Sequence, residues 1–191
     1  MIVRLFCPVC AHEVANKRLS HASIEVPVPV SRIVDDGRYE VRCDAGHVST
    51  VFLDNLKFEL LFDMGLNALI DGYPREAVSS FASALERFYE FYWRVAMRHL
   101  SVPSDELVTA WKAVAKQSER QLGMYITAHL LLTRRTSVLL NPNTEVRLRN
   151  NVIHNGYVPK HKEAVSFGDS VMNVMNQSLD ELRNIAPEAL V

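Results

Sequence analysis

The stretch AVSSFASALERFYEFY, residues 77–92, decides the fold of the larger part of this chain. Its apolar side chains recur at spacings of three and four residues, which is the period of an amphipathic α-helix. They are Ala77, Phe81, Ala84, Leu85, Phe88 and Phe91. The helix is expected to begin at Pro74, after a break at Gly72-Tyr73, and to reach about His99.

Helical spacing continues on both sides of this stretch, and no internal repeat is visible. The sequence therefore predicts one helical bundle over residues 54–191 and not a solenoid. The other predicted helices are one that begins at an Asp54 cap, one from Pro103 to about Ala115, one from about Glu119 to Leu140, one over RLRNNVIH (residues 147–154) that stops at Asn155-Gly156, and one from Pro159 to about Asn184.

Residues 1–53 follow a different pattern, in which β-branched residues alternate with polar ones. This period of two predicts three or four short antiparallel strands, with Pro27 and Pro29 favouring an edge strand. So short a segment cannot bury a large core, so we expect a cross-link such as a disulfide or a bound metal ion to stabilise it. The predicted fold class is α+β: a zinc-ribbon-like β module over 1–53, then the helical bundle.

All three cysteines lie in the first 43 residues, and an odd number cannot pair completely into disulfides. Cys7 and Cys10 form a two-residue-spaced pair after one predicted strand, and Cys43 and His47 follow another. Each pair forms a knuckle, a short turn that presents two metal ligands, and two such knuckles can bind one tetrahedral ion. We therefore predict a structural Zn²⁺ ion, bound by these four residues, whose binding contributes folding free energy to the small module.

Two other interpretations of the cysteines remain: they are incidental buried thiols, or Cys7 and Cys10 are a redox pair with Cys43 unrelated. A redox pair is expected to open a helix in a βαβ unit, whereas this pair is predicted to lie between strands. That context favours the metal site. His12 and His21 are more typical of surface residues than of ligands.

A second candidate site lies in RNNVIH, residues 149–154. At about 100° per residue, Asn150 and His154 share a helix face, whereas Arg149 and His154 point about 140° apart. One straight helix cannot direct both of them at the same atom. They converge only if the arginine wraps round the helix, if the backbone bends near Asn155-Gly156, or if a second copy of the helix faces the first.

RNNVIHNGYVP, residues 149–159, together with the upstream AVSSFASALERFYEFY helix, resembles the HEPN superfamily of small helical-bundle proteins. The hallmark of that superfamily is an Arg, four to six further residues and a His, with a polar residue favoured after the Arg. Here the spacing is four and the polar residue is Asn150. The resemblance covers about residues 54–184, and the N-terminal module lies outside it.

The resemblance implies an α-helical homodimer whose two motifs line a shared cleft. Many members are metal-independent endoribonucleases, acting as toxins, as abortive-infection or antiphage defence effectors, or in RNA processing. For this chain it implies that His154 serves as the acid/base group, that Arg149 stabilises the charge on the phosphorane, and that Asn150 orients the imidazole or a phosphate oxygen.

Ser83 and Glu86 lie where related bundles often carry a polar pair that faces the motif. The resemblance makes them candidates for supporting the motif residues from the neighbouring helix. The alternative is that both belong to a solvated stripe of an amphipathic helix.

Residues 134–162 contain six Lys or Arg against one acid, a local net charge of +5 in a chain of net charge -1. Such a segment predicts contact with RNA phosphates, and an aromatic residue within it can stack a base. The alternative is an ordinary solvated helix–loop–helix face. The candidate RNA-binding residues are Arg147, Tyr157, Lys160 and Lys162.

The sequence thus supports two alternative functions from different classes. One is an endoribonuclease, and the other is a catalytically silent HEPN-like dimer that binds RNA, a nucleotide or a protein. The intact Arg, Asn and His favour the enzyme, while the near-neutral net charge favours the silent module. A DNA-binding regulator is disfavoured, because residues 1–53 contain six Lys or Arg but also six acids. Any antitoxin or regulatory protein would be a separate chain.

The composition of the chain excludes several classes of protein. It has 191 residues, of which 48% are hydrophobic and 23% charged, which is typical of a foldable globular protein and excludes low complexity. The longest apolar runs fall far short of the ~18 residues of a membrane span. The start MIVRLFCPVC lacks the order of a signal peptide, so we expect a cytoplasmic protein with reduced thiols and no membrane partner.

Overall fold

A computed structural model describes residues 2–16, 25–29, 38–52 and 57–190 of the chain. It confirms the α+β fold class, with a small antiparallel β part followed by a mostly helical region. The chain divides into two compact units, Met1–Leu56 and Lys57–Val191. The predicted Asp54 cap and His21 lie outside the described residues.

The described part of the N-terminal unit contains two separate two-stranded antiparallel sheets. Strand β1 (Ile2–Phe6) pairs with β2 (Glu25–Pro29), and β3 (Arg38–Arg42) pairs with β4 (Val48–Phe52). Every strand of a two-stranded sheet has a free edge, and that is why the prolines of β2 are tolerated. The alternation of buried and exposed residues along β3 follows the period of two seen in the sequence.

A short helix α1 (Pro8–Ala15) opens at the cysteine pair, and here the expectation that the pair simply lies between strands is wrong. Pro8 occupies the first helical turn, where its missing N–H is not needed. Cys7 is the N-cap residue, and its sulfur accepts a hydrogen bond from the Cys10 amide. The strands on either side of α1 are nevertheless antiparallel, unlike those of a βαβ unit.

The helical unit follows the predicted order, and the long central helix has the predicted bounds. Helix α6 also spans the predicted residues, and Gly156 follows it with a positive φ of 68°. The helices are α2 (Lys57–Ile70), α3 (Pro74–His99), α4 (Ser104–Val114), α5 (Ser118–Thr133), α6 (Arg147–His154) and α7 (His161–Ile185), with a π-helical turn at Pro142–Val146 and a 3₁₀ turn at Pro187–Leu190.

Helix α5 ends at Thr133, several residues before the predicted Leu140. Arg134 takes a left-handed conformation with φ of 58°, which ends the helix. The buried His129 contacts the carbonyl oxygen of Arg135 and the carboxylate of Glu181 in α7, fixing the chain where it leaves α5. The apolar residues beyond this point pack on the core from a non-helical segment, so their spacing mimicked a longer helix.

The core of the helical unit is built around α3, which packs against α2, α5, α6 and α7. Phe81 is fully buried and lies between two glycines, Gly65 in α2 and Gly168 in α7. A β-carbon at Gly168 would be 2.8 Å from the Phe81 ring, and one at Gly65 would overlap the ring. Both glycines are therefore required for the close approach of three helices.

Gly65→Ala and Gly168→Ala are each expected to lower the free energy of unfolding by about 1–3 kcal/mol, because the added methyl group displaces the Phe81 ring. Gly123→Ala in α5 is the matched control, since its β-carbon would meet nothing within 4 Å. That control should raise stability by about 0.5–1 kcal/mol through helix propensity. Urea denaturation of the three variants measures the difference, and equal effects at all three positions would contradict the packing.

Candidate functional site

The four predicted metal ligands come together in the N-terminal unit. The ligand atoms of Cys7, Cys10, Cys43 and His47 all lie within 4.8 Å of one another. The three cysteines are buried and the histidine is half-buried. The clustering expected from the sequence is thus confirmed, and the cluster is compatible with a structural metal site.

The distances within the cluster test whether it fits an ion. A tetrahedral ion with bonds of about 2.3 Å to sulfur and about 2.0 Å to nitrogen separates its ligand atoms by about 3.5–3.8 Å. The Cys10 and Cys43 sulfurs are 3.6 Å apart. The His47 Nδ1 atom lies 3.3 Å from the Cys10 sulfur, 3.6 Å from that of Cys43 and 4.0 Å from that of Cys7. Two of these distances lie within that range and the other two within about 0.2 Å of it, so the cluster is compatible with a tetrahedral ion bound through Nδ1.

Local backbone geometry presents these ligands. In the first knuckle, the Ala11 amide donates to the Cys7 carbonyl at 3.0 Å, which starts α1 and turns the Cys10 side chain back toward Cys7. In the second, the Gly46 amide donates to the Cys43 carbonyl at 2.9 Å. Gly46 has a φ of 82°, which a side chain would disfavour, so the glycine is needed for the turn that returns His47 to Cys43.

The pKa values of the two thiols of the first knuckle, Cys7 and Cys10, are shifted in opposite directions. The hydrogen bond from the Cys10 amide lowers the pKa of the Cys7 thiol to about 7. Burial raises the pKa of the Cys10 thiol to about 12, because a buried thiolate loses its hydration. A bound cation would offset that cost by pairing with the thiolate. The chemistry of the donor set therefore agrees with its geometry.

The second candidate site lies on α6, where Arg149 is held by two side chains. Its Nη2 donates to the Glu86 carboxylate of α3 at 2.7 Å, and its Nη1 donates to the Asn150 side-chain oxygen at 2.9 Å. Only 20% of the Arg149 side chain and 29% of the Glu86 side chain are exposed. Arg149, Asn150 and Glu86 also line a cavity of about 140 Å³ between α3, α5 and α6.

Ser83 does not join this cluster. Its hydroxyl donates to the Ser79 carbonyl of the same helix at 2.9 Å, and the residue is exposed. Of the polar pair considered from the sequence, Glu86 contacts the motif and Ser83 is in the solvated stripe.

His154 is exposed at the C-terminal end of α6, away from Arg149. It makes no hydrogen bond or ion pair with any residue that the structure describes. The helix is regular up to His154, so it does not bend to bring the two motif residues together. Within one chain, the angle of about 140° between Arg149 and His154 therefore persists.

The predicted RNA-binding residues fall into two groups. Arg147, Tyr157 and Lys162 line an open groove of about 710 Å³ on the other side of α6. Lys160 is instead the N-cap residue of α7, and its amide donates to the Glu163 carboxylate at 2.7 Å. The groove also contains Asn151, which sequence reasoning missed although its spacing of four from Arg147 placed it on the same helix face.

No protein-family model, curated protein or solved structure matches this chain. Among its described residues, no helix combines the length and the apolar character needed to cross a membrane.

Glu86→Ala is expected to lower the free energy of unfolding by about 1–3 kcal/mol, because it leaves the largely buried Arg149 guanidinium without its carboxylate. The control is Asp169→Ala in α7, where the carboxylate is exposed and has no hydrogen bond to the described residues. Thermal and urea denaturation compare the two variants. Equal stability of both would mean that the Arg149–Glu86 pair does not hold α6 on α3.

Proposed function

We propose that this protein is a metal-independent endoribonuclease of the HEPN type. The observation that carries the proposal is the arrangement on α6. His154 is exposed at the end of the helix and has no hydrogen-bond partner among the described residues, and Arg149, on another side of the helix, is held by Glu86 and Asn150. This helix lies in the segment of local net charge +5. The arrangement supplies an acid/base group and a preorganised cation close to a surface that attracts phosphates.

The reaction that suits these groups is attack of an RNA 2′-hydroxyl on the adjacent phosphate. The 2′-oxygen bonds to phosphorus while the bond from phosphorus to the 5′-oxygen breaks, leaving a cyclic phosphate and a 5′-hydroxyl. The 2′-hydroxyl proton passes to a base, and the 5′-oxygen leaves with a proton from an acid. Imidazole performs either transfer near neutral pH, and His154 is the group assigned to this role.

A homodimer is part of this proposal. Because Arg149 and His154 diverge by about 140° on a regular helix, a second α6 facing the first is the simplest way to direct both at one phosphate. The biological role consistent with such an activity is that of a toxin or antiphage defence effector, restrained by a separate antitoxin or regulatory protein.

The test is incubation of the wild type and of His154→Ala with single-stranded RNA in the presence of a chelator of free metal. The wild type is expected to cleave, and the variant to lose at least about 100-fold in rate, the contribution of a general acid or base. His12→Ala is the control, since that imidazole is exposed in the other unit. Equal cleavage by wild type and His154→Ala, or cleavage by neither, overturns the assignment.

A second candidate function is supported by a specific observation. Two donor groups of Arg149 are already used by Glu86 and Asn150, as expected for a structural tether. Together with the net charge of -1, this favours a catalytically silent dimer that binds RNA, a nucleotide or a protein. RNA binding by the wild type without cleavage of the bound strand would select this function over the enzyme.

We further propose that the ion bound by the N-terminal cluster is Zn²⁺. Three thiolates and one imidazole in a tetrahedral arrangement are typical of closed structural zinc sites, in which no coordination position is left for a substrate. Its contribution would be to the folding of the N-terminal unit.

Elemental analysis of purified protein is expected to give about one zinc per chain. Cys43→Ser should reduce this content severalfold and destabilise the N-terminal unit, because one of the four ligands is lost. His12→Ala, an imidazole outside the cluster, should retain the wild-type content. A zinc content below about half an ion per wild-type chain would count against the site.

A further inference from the structure

The open groove lined by Arg147, Tyr157 and Lys162 lies on the side of α6 opposite Arg149. It is bounded by the turn at Pro142–Val146, by α6 and by the first turns of α7. We infer that it binds one nucleotide of a single-stranded RNA, with the base on Tyr157 and the phosphate between Arg147 and Lys162. The inference rests on the proposed function for its polymer substrate. It adds a substrate-binding subsite distinct from the Arg149 cavity.

Two cations of the groove are available to a ligand. Arg147 and Lys162 are exposed, and neither side chain makes a hydrogen bond or ion pair within the described chain. They come from different helices, α6 and α7, and line the same groove. Besides the hydrogen bond from the Lys160 amide, the nearby Lys162 lowers the pKa of the Glu163 carboxyl, but neither cation has to break a hydrogen bond or ion pair of the described chain to contact a phosphate.

The two carboxylates of the groove are already occupied. Glu163 accepts hydrogen bonds from the Lys160 amide and the Tyr157 hydroxyl, at 2.7 and 3.1 Å. Glu145 accepts hydrogen bonds from the amide of Asn141 and the hydroxyls of Thr144 and Ser170. Both acids thus build the walls of the groove, whereas the donors of the two cations make no hydrogen bond to the described residues.

Tyr157 is restrained by two hydrogen bonds and remains partly exposed. Its hydroxyl is fixed by Glu163, and its amide donates to the Asn151 carbonyl at 3.1 Å, while 40% of the residue remains exposed. A residue whose backbone amide and side-chain hydroxyl are both hydrogen-bonded loses little entropy when a base stacks on its ring. Such stacking contributes about 1–3 kcal/mol per base in single-strand binding.

Two polar side chains that line the groove can form hydrogen bonds with a base edge. Within the described residues, the side-chain N–H groups of Asn151 and the hydroxyl of Ser166 make no hydrogen bond. Leu148 and Phe167 supply the apolar part of the lining. The groove thus offers a stacking face, hydrogen-bonding groups and phosphate-binding cations, which are the contacts that a nucleotide uses.

The groove is aligned with the proposed acid/base group. Arg147, Asn151 and His154 follow the spacing i, i+4, i+7 and share one face of α6. Arg149 is about 200° from Arg147 round the helix, on the opposite face. A strand held in the groove therefore runs along the face that ends at His154.

The experiment measures binding of a short fluorescent single-stranded RNA by anisotropy, with His154→Ala as the parent so that cleavage does not interfere. Tyr157→Ala is expected to weaken binding about 10-fold, and Tyr157→Phe, which keeps the ring but loses the hydrogen bond to Glu163, is expected to weaken it less. Arg147→Ala and Lys162→Ala should each reduce the slope of log affinity against log salt by about 0.7. Lys112→Ala, on α4 and outside the groove, is the charge control.

Unchanged binding in the Tyr157→Ala and both cation variants overturns the groove assignment, as does an equal loss in Tyr157→Ala and Tyr157→Phe. Competition with AMP separates a strand from a free nucleotide, and AMP binding as tight as that of the oligonucleotide would overturn the RNA assignment. The proposed function fails separately: groove-dependent binding together with no cleavage by the wild type refutes the nuclease and supports the subsite.

Discussion

The close contact of three helices at Phe81 is the constraint on which the helical unit depends. The ring fills the space that side chains at Gly65 and Gly168 would otherwise take, so α2 and α7 both approach α3 closely. Because α7 is fixed in this way, its first turns have a defined position beside α6. The groove with Arg147 and Lys162 lies between α6 and those first turns of α7.

Helix α6 has eight residues, too few to be stable by itself in water, and tertiary contacts hold it. Val152 is completely buried, and the Arg149–Glu86 pair joins the helix to α3 from another side. The Arg149 side chain thus holds α6 on α3 and is also the proposed cation of the site. A reduction in activity on changing Arg149 must therefore be separated from a reduction in stability.

The N-terminal unit has a different basis for its stability. Among its described residues, the apolar core consists of Leu5, Tyr39 and Val41, with the three cysteines forming a separate buried cluster. The apolar area that these described residues bury is small compared with that of the core around α3. The metal-compatible cluster lies next to this small core, with Cys7 following β1 and with Cys43 and His47 between β3 and β4.

The sequence by itself determined the fold class, the bounds of α3 and α6 and the four members of the metal-compatible cluster, because each depends on periodicity or spacing within a short stretch. It did not determine the end of α5, where contacts of His129 with residues distant in sequence outweigh local spacing, or the helix that opens at Cys7. Only the tertiary structure decided that Glu86 and not Ser83 meets Arg149, and that Arg147 and Lys162 share a groove. Those contacts join residues on different helices, and their distances follow from how the helices pack, which no local pattern encodes.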